Sequence, residues 1–542
     1  MIASRVLAAA VTGILLLAGC SDSPSPNGDE AAEPTSGGTL VVAIDSDPGT
    51  LNPAITTSGA THTASELMFN GLVSYTPGQE PQPELAESWD VEEDGALYRF
   101  HLRRGVTWHD GEPFTSGDVK FTFEELLFEL HSRTKASVGA AIESITTPDE
   151  DTVEFRFREP YAPLLRQLDV TEAPILPEHV YGGVDPLENP ANNEPVGTGP
   201  FKLQRYTPSA EVRLVANRDY FREGMPKLDK VVMRIIPEPA NQVIALESGE
   251  VDWLFGVPGP DLERLQDSGK YDFLQTAVNP GGANCIMTVS FNLERPMFQD
   301  VRVRRALSTA LDAQQFLDRV LFGQGKVATA PISSGIPVGH ADNLDGMPVF
   351  DRAAAETLLD EAGWVRDGGG VRKAEGVEGV KDGTRLAFDF LHFPGFASYG
   401  QLLKAQLDAV GADVKLVPLE PPVFVETVFT SRKFDTNIIS YCNGADPEIG
   451  VKRMYVSSNI GPIPFSNSSA YDNREVDRLF DEARATVDDD ERMALYRTLQ
   501  EQLVEDLPYF WLVETESTRV FTTKCQGFSG SGHFAETASC ST

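Results

Sequence analysis

The chain has 542 residues, too many for one hydrophobic core and enough for two or three domains. Hydrophobic residues make up 41% and charged residues 23%, which is typical of a globular protein rather than a disordered one. The net charge of −36 argues against nucleic acid as a partner and against electrostatic docking on an anionic membrane, because both need a basic protein face.

The N-terminus predicts export. One basic residue, Arg5, precedes the apolar run 6–17, which is shorter than the roughly 20 residues of a membrane-spanning helix. The run ends in Leu17-Ala18-Gly19-Cys20, the form of a bacterial lipobox, whose cysteine is lipidated and becomes the new N-terminus. The alternative is an ordinary secretory signal with a chance cysteine. Residues 1–20 are therefore a predicted lipoprotein signal peptide, and the Ser/Pro/Gly-rich segment 21–38 a flexible tether.

Four cysteines remain besides Cys20, and an even number in an exported protein predicts disulfides. Four cysteines allow three pairings. We favour Cys525–Cys540, which would staple a Gly/Ser-rich tail, together with Cys285–Cys442.

In the first half of the chain, short strands and turns alternate with helix starts. A strand is predicted at 39–44 and a helix at 58–67. Tyr98, Phe100 and Leu102 alternate with polar residues, which predicts a half-buried strand. Thr115 and Asp118 have the spacing of a capping box, so a helix should start there and run to about residue 131.

The second half follows an α/β pattern. Helical spacing puts Val303, Ala306, Leu307, Ala310 and Leu311 on one apolar stripe, whereas Arg302, Arg304 and Arg305 predict a solvated face rather than an anion site. A strand at 386–390, a helix at 398–410 and a strand at 412–418 predict a parallel strand pair. Further strands are predicted at 434–441 and 509–513, with two helices between them.

No pattern predicts catalysis. The chain has no H-E-x-x-H, no G-x-S-x-G and no P-loop, and its eight histidines lack metal-ligand spacing. No catalytic residue, cofactor or metal site is therefore predicted.

The segment 70–123 carries three long motifs. They are Gly71-Leu72-Val73, L-A-x-S-W at 85–89, and D-G-x-x-Y-x-F-x-L-R-x-G-V-x-W-H-D-G-x-P-F beginning at Asp94. With these motifs the segment resembles the extracytoplasmic solute-binding proteins of ABC importers, in family 5, the class that binds dipeptides, oligopeptides and nickel. Later matches are G-T-G-P-F at 197–201, L-x-x-G-E-V-D at 246–252 and the segment 292–311.

The resemblance implies an α/β fold of two lobes, like the type II, cluster C periplasmic binding proteins, with an extra inserted subdomain. The first lobe would comprise 39–68, 195–284 and 506–542, the inserted subdomain 69–194, and the second lobe 285–505. It also implies that the loop with Ser58, Gly59 and Thr61 lines the ligand cleft, although the same residues could simply start a capped helix.

The resemblance also points to the segment 440–447, S-Y-C-N-G-A-D-P, as the specificity segment. Peptide-binding relatives carry an Asp three residues before the D-P, where it pairs with the peptide's α-ammonium group. Asn443 stands at that position here, and an amide cannot neutralise an ammonium group. Either Asp446 takes the role, or the register is shifted, or the ligand lacks a free N-terminus. Tyr441, Asn443 and Asp446 are the leading ligand-binding candidates, followed by Asn292, Ser58 and Thr61.

The predicted function is capture of a peptide or peptide-like solute outside the cell for an ABC permease, by a monomer that Cys20 anchors to the outer face of the cell membrane. Binding of an oligosaccharide or a metal chelate is the alternative within the same fold. A secreted hydrolase and a lipoprotein that feeds a sensor are the alternatives from other classes.

Overall fold

A computed structural model describes residues 37–276, 284–366, 368, 370–529 and 533–541. The predicted cysteine anchor Cys20 and the tether up to residue 36 lie outside these residues. Two mixed sheets, each with helices packed against it, form the two lobes.

The first sheet has seven strands, and the predicted strand Thr39–Ile44 lies within it, parallel to Lys230–Ile235 and to Trp253–Leu254. Apolar side chains of Thr39–Ile44 are buried on both faces, as expected for a central strand. In spatial order the strands are Tyr271–Thr276, Ser517–Thr522, Trp253–Leu254, Thr39–Ile44, Lys230–Ile235, Glu211–Ala216 and Phe201–Thr207.

The region 69–194, predicted to be an inserted subdomain, contains a four-stranded antiparallel sheet formed by Ala86–Glu92, Leu97–Leu102, Thr152–Phe157 and Ile142–Asp149. The capping box is confirmed, because the Thr115 backbone N–H donates to the Asp118 carboxylate at 2.9 Å and helical structure runs from Ser116 to Leu130. Its core continues into that of the first sheet, since Phe100 and Phe155 belong to the same buried cluster as Leu40. The insert and the first lobe are therefore one packed unit.

The second sheet has six strands and helices on both faces. The predicted parallel pair is confirmed, with Ala387–His392 beside Asp413–Pro418. The apolar stripe that begins at Val303 is also confirmed as core. In spatial order the strands are Gly325–Val327, Tyr509–Thr515, Asn284–Phe291, Thr436–Asn443, Ala387–His392 and Asp413–Pro418.

The α-helices of five residues or more are Gly59–Ser65, Ser116–Phe121, Ser132–Ala136, Pro239–Ser248, Gly259–Ser268, Val301–Thr309, Ala313–Arg319, Arg352–Glu361, Ala397–Ala409, Pro421–Val425, Val451–Tyr455, Arg474–Ala485 and Asp489–Asp506. None of the helices in the described ranges is both long and apolar enough to cross a membrane. Arg304 departs from the predicted solvated face. It is buried, and its guanidinium group donates to the carbonyl oxygens of Leu507 and Gln299, each at 2.9 Å.

The chain passes between the two sheets twice. It leaves the first sheet at Thr276 and enters the second at Asn284, and it returns through Glu516. Strand Tyr509–Thr515 pairs with Asn284–Phe291 and belongs to the second sheet. The chain from residue 506 onward was predicted to belong to the first lobe, whereas the change of sheet falls at Glu516.

Both favoured disulfides are present. Cys285–Cys442 joins two neighbouring strands of the second sheet, with the Cα atoms 4.0 Å apart. Cys525–Cys540 closes the C-terminal hairpin across 15 residues. A loop of that length contributes about 3 kcal/mol in the chain-entropy treatment.

Candidate functional site

The candidate site lies between the two sheet edges that face each other. The two crossings link Thr276 to Asn284 and Thr515 to Ser517. Thr276 and Ser517 therefore lie at one edge of the first sheet, and Asn284 and Thr515 lie at the facing edge of the second. Strand directions bring the carboxyl ends of Thr39–Ile44 and Lys230–Ile235 to the first edge. The carboxyl ends of Thr436–Asn443, Ala387–His392 and Asp413–Pro418 lie at the second edge. Ligands of α/β proteins bind at such carboxyl ends.

The first-lobe wall contains a cavity of about 650 Å³ at the end of strand Thr39–Ile44. The short helix Gly59–Ser65 forms one side of it. The lining residues are Ala43, Ile44, Asp45, Ser46, Gly59, Ala60, Thr63, Pro239, Gln242, Phe255, Gly256, Val257, Pro258 and Ser517.

The predicted residues Ser58 and Thr61 lie beside this cavity rather than in its lining. Ser58 is exposed at the helix start and makes no capping hydrogen bond with its side chain. Thr61 is fully buried, and its hydroxyl donates to the Pro48 carbonyl oxygen at 3.0 Å. The structure therefore brings the predicted helix to the cleft edge, but Gly59, Ala60 and Thr63 form the surface there.

Two leading candidates in the second-lobe wall already have partners. The Tyr441 hydroxyl donates to the Ser466 carbonyl oxygen at 2.8 Å, and burial raises the pKa of Tyr441 well above its usual value. Asp446 is fully buried and accepts two hydrogen bonds from the Arg492 guanidinium group, at 2.6 and 2.9 Å. Tyr441 thus anchors the segment 466–468 and Asp446 fixes the 444–450 loop, so neither side chain is free to bind a ligand.

Asn443 is different, because it is 3% exposed and, within the described part of the chain, neither its Oδ1 nor its Nδ2 atom has a hydrogen-bond partner. Asn284, its cross-strand neighbour, also has an unpartnered Oδ1 atom. Each amide lies against a glycine loop: a Cβ atom on Gly450 would come within 2.5 Å of Asn443 Oδ1, and one on Gly335 within 2.2 Å of Asn284 Oδ1. Burial of an amide without partners costs about 1–3 kcal/mol of folding free energy, so a polar ligand group that bonds to Asn443 and Asn284 would be stabilised.

Asn292 lies at the opposite end of its strand. Its Nδ2 atom donates to the Phe434 carbonyl oxygen at 2.8 Å, and its Oδ1 atom accepts from the Glu294 backbone at 3.1 Å. Eight residues separate it from Asn284, about 26 Å at ~3.3 Å per strand residue. The structure does not bring Asn292 to the cleft.

Sequence reasoning missed the charged groups of the cleft, which come from isolated positions without a motif. Glu66, at the end of helix Gly59–Ser65, makes no hydrogen bond or ion pair through its carboxylate among the described residues. Burial raises the pKa of Glu66 to about 8; Arg519 opposes this shift and Asp169 reinforces it. Arg133 of the insert pairs with Glu172 at 3.1 Å.

Arg453, in helix Val451–Tyr455, follows the 444–450 loop. Its guanidinium group donates to the Cys442 carbonyl oxygen at 3.2 Å, and its Nε atom has no hydrogen-bond partner among the residues that the structure describes. Burial lowers the pKa of Arg453, Tyr441 opposes this shift, and the charge of Arg133 reinforces it. Glu66, Arg133 and Arg453 thus belong to the first lobe, the insert and the second lobe, respectively.

The two lobes touch at both ends of the cleft, so the structure is a closed form. At the rim, Arg166 of the insert pairs with Asp489 of the second lobe, with Nη2 and Oδ2 3.1 Å apart. Beside the crossings, Gln324 of the second lobe donates to the Val257 carbonyl oxygen at 3.1 Å. Lys326 pairs with Glu516 at 2.9 Å.

Comparison with known proteins identifies the family. Residues 80–462 match the family described as bacterial extracellular solute-binding proteins, family 5 middle. The match spans most of the chain, which therefore belongs to family 5 of the bacterial extracellular solute-binding proteins. The predicted family is confirmed.

Protein XP55 of Streptomyces lividans is 30% identical over 544 residues, which cover 97% of this chain and 93% of the relative. The oligopeptide-binding protein AppA of Bacillus subtilis is 28% identical over 530 residues, or 95% of this chain and 93% of AppA. Both relatives align along nearly their whole length.

Solved structures confirm the predicted two-lobe α/β fold. AppA in complex with a nonapeptide superposes with a TM-score of 0.73 at 25% identity, covering 94% of this chain and 100% of AppA. NikA from Brucella suis, in complex with Fe(III)-EDTA, superposes with a TM-score of 0.78 at 24% identity, covering 92% of this chain and 99% of NikA. The NikA likeness concerns the fold alone.

Proposed function

We propose that this protein captures a peptide or peptide-like solute outside the cell, closes its two lobes on it, and delivers it to an ABC permease. The full-length likeness to an oligopeptide-binding protein supports the solute class. The lipobox at Cys20 supports attachment of a monomer to the outer face of the cell membrane. The predictions of a permease partner and of a lipid anchor belong to this proposal.

The observation that carries the proposal is the set of polar groups without partners where the lobes face each other. Asn443 and Asn284 offer amide atoms, Glu66 an unpaired carboxylate, and Arg453 an unpaired guanidinium Nε–H. Leaving such groups buried and unsatisfied is costly. A peptide supplies the complementary amides, ammonium group and carboxylate in one molecule.

Closure follows from this distribution. Because Glu66 lies in the first lobe and Asn443 and Arg453 in the second, a ligand completes all of the contacts only when the lobes are together. Such a ligand favours the closed form by its differential affinity for the two forms, and a permease can then distinguish loaded from empty protein.

Native mass spectrometry of the protein without its first 20 residues tests the proposal. We expect bound material with a heterogeneous set of masses separated by amino-acid residue masses. A single adduct with the mass of a sugar or a metal chelate would contradict the peptide proposal and support the alternative ligand classes.

Deletion of the protein from its own organism tests the transport step. Loss of peptide uptake supports delivery to a permease. Unchanged uptake with an altered transcriptional response to peptides would support a sensory partner, and turnover of a model substrate by the purified protein would support a hydrolase.

A further inference from the structure

The insert carries a groove of about 360 Å³ on its own surface, which we call the insert groove. One side is the helical segment 116–130, and the other is the loop 182–187, which follows the helix Glu178–Tyr181. The helical segment contains a π-helical turn at Thr122–Leu127, a feature that is frequent at functional sites. All of the lining residues belong to the insert, so the groove forms without the second lobe and does not depend on closure.

The insert groove exposes apolar side chains to solvent. Its apolar lining residues include Phe121, Leu126, Leu130, Val184 and Leu187. Val184 is 50% exposed and Leu187 62%. Hydrogen bonds fix the loop in this conformation, since the Asp185 carboxylate accepts from the Leu187 backbone N–H at 3.0 Å and the Asp185 carbonyl oxygen accepts from the Glu188 backbone N–H at 3.1 Å. Neighbouring apolar side chains held toward solvent are typical of an interaction surface.

The charged residues in the groove lining are all acidic: Glu125, Glu129 and Asp185. Glu125 and Glu129 are exposed and lie four residues apart on the helical segment. Lys135 pairs with Glu129 at 3.8 Å, whereas the Glu125 carboxylate has no ion pair or hydrogen bond among the described residues. A partner with lysine or arginine beside its apolar side chains is therefore complementary to this groove.

Charge argues against two occupants from this protein itself. The segment 21–36, which lies outside the described residues, contains four acidic residues and no basic one. A symmetric contact between two copies would place Glu125 and Glu129 against the same acidic rim of the other copy. The occupant is therefore a different protein. An amphipathic helix suits an apolar groove of this kind, because its apolar side chains recur along one face.

We infer that the insert groove binds a basic amphipathic helix of a second protein, with apolar side chains against Leu126 and Leu187 and a lysine or arginine beside Glu125. The groove is separate from the solute cleft and lies in one part of the molecule only. A partner bound there would therefore stay attached to both the loaded and the empty protein.

A fluorescently labelled helical peptide of about 14 residues is the probe, with leucines at i, i+4 and i+7 and lysines beside them. Its ends are blocked, so it brings no free ammonium or carboxylate terminus to the cleft. Fluorescence anisotropy measures its binding to the protein without the first 20 residues. We expect saturable binding, and binding at least about tenfold weaker when serine replaces the leucines or glutamate replaces the lysines. Equal binding of the serine peptide would overturn the inference, because charge attraction to an acidic protein would then suffice.

The variants Leu187→Ser and Glu125→Lys test the apolar and the acidic part of the groove. Both side chains are exposed, so neither change should affect folding. We expect each variant to bind the probe about fivefold more weakly. Val349→Ser and Glu263→Lys are the matched controls, since they make comparable changes at exposed positions of the second and first lobes. Equal weakening in variants and controls would contradict a site in the insert.

The variant Asn443→Leu separates the insert groove from the solute cleft. A probe that binds in the groove keeps its affinity for Asn443→Leu and loses it for Leu187→Ser. The reverse result would place the probe in the cleft and overturn the inference, as would a wild-type protein that does not bind the probe. None of these results alters the proposal of peptide capture, which native mass spectrometry tests separately.

Discussion

The two walls of the cleft differ in whether their buried carboxylates are paired. In the second-lobe wall, Asp446 is fully paired with Arg492 and fixes the 444–450 loop. In the first-lobe wall, Glu66 has no partner through its carboxylate among the described residues, and its pKa is raised to about 8 by burial. A paired carboxylate stabilises the conformation of the wall, whereas an unpaired one is available to a ligand.

The comparison of the two walls also changes where the partner of a ligand cation is expected. The sequence pattern placed the partner of a ligand cation in the second lobe, at or near Asn443. The structure shows a neutral amide and the cation Arg453 there, and free acidity in the first lobe. At neutral pH Glu66 keeps its proton, so it offers a ligand a neutral carboxyl group, whereas Arg453 offers a positive charge.

The largest expected effect comes from breaking the paired carboxylate. Arg492→Met leaves Asp446 buried without a counter-charge, and we expect the free energy of unfolding to fall by about 3–5 kcal/mol. Urea denaturation at pH 7 measures it. The double variant Asp446→Leu with Arg492→Met is the control and should recover most of the loss. A single variant within about 1 kcal/mol of wild type would show that the pair does not hold the loop.

The variant Glu66→Gln tests, through the pH dependence of folding stability, whether Glu66 is buried without a partner. The pKa of Glu66 in the folded protein is raised from 4.5 to about 8, so the folded state keeps a proton that the unfolded state loses in this window. The stability that protonated Glu66 contributes to the folded state is complete below pH 4.5 and is lost as the pH rises to about 8. We expect wild type to lose about 3–4 kcal/mol relative to Glu66→Gln between pH 5 and pH 8.5.

Thermal unfolding of both proteins, measured without ligand across this range, provides the check. Parallel profiles for wild type and Glu66→Gln would mean that Glu66 titrates normally and is solvated in the cleft.

Asn443→Leu separates stability from binding. Replacing a buried amide that lacks partners with an apolar side chain of similar size should raise the free energy of unfolding by about 1–2 kcal/mol. Peptide affinity should fall roughly tenfold, about 1.4 kcal/mol, if a ligand satisfies that amide. Chemical denaturation and calorimetric titration measure the two effects.

Asn437→Leu is the matched control, since Asn437 is equally buried and unpartnered but lies six residues away along the same strand. It should raise stability and leave affinity unchanged. Loss of affinity in both variants would trace the effect to the second sheet in general rather than to the cleft edge.

The smallest expected effect is at the rim. Asp489→Asn removes the ion pair with Arg166, which links the insert to the second lobe only in the closed form. Arg166 is buried and Asp489 is exposed. An ion pair with one exposed partner is worth about 0.5–1 kcal/mol, so ligand affinity should fall by a few fold. Asp490→Asn is the control, because Asp490 lies in the same helix turn and is exposed. Equal effects would point to the helix end and not to the rim contact.

Local patterns predicted the elements that pack through one face. The alternation at Tyr98–Leu102, the capping box at Thr115 and the stripe beginning at Val303 all correspond to observed elements, because side-chain period and capping are properties of a short segment. Arg304 and Asp446 were not predictable in this way. Their partners, Leu507 and Arg492, lie 203 and 46 residues away along the chain.

The sequence by itself determined the family, the α/β class and the parallel strand pair, since long motifs and periodic patterns can be recognised without knowledge of the fold. It left three cysteine pairings open, and the structure has the favoured one. Only the tertiary structure decided which lobe the strand Tyr509–Thr515 joins, and that Tyr441 and Asp446 are structural. It also decided that Arg133 pairs with Glu172 and that the Glu66 carboxylate has no hydrogen-bond or ion-pair partner among the described residues. The physical reason is that burial and pairing depend on neighbours from distant segments of the chain. The spacing of residues within one short segment carries no information about those neighbours.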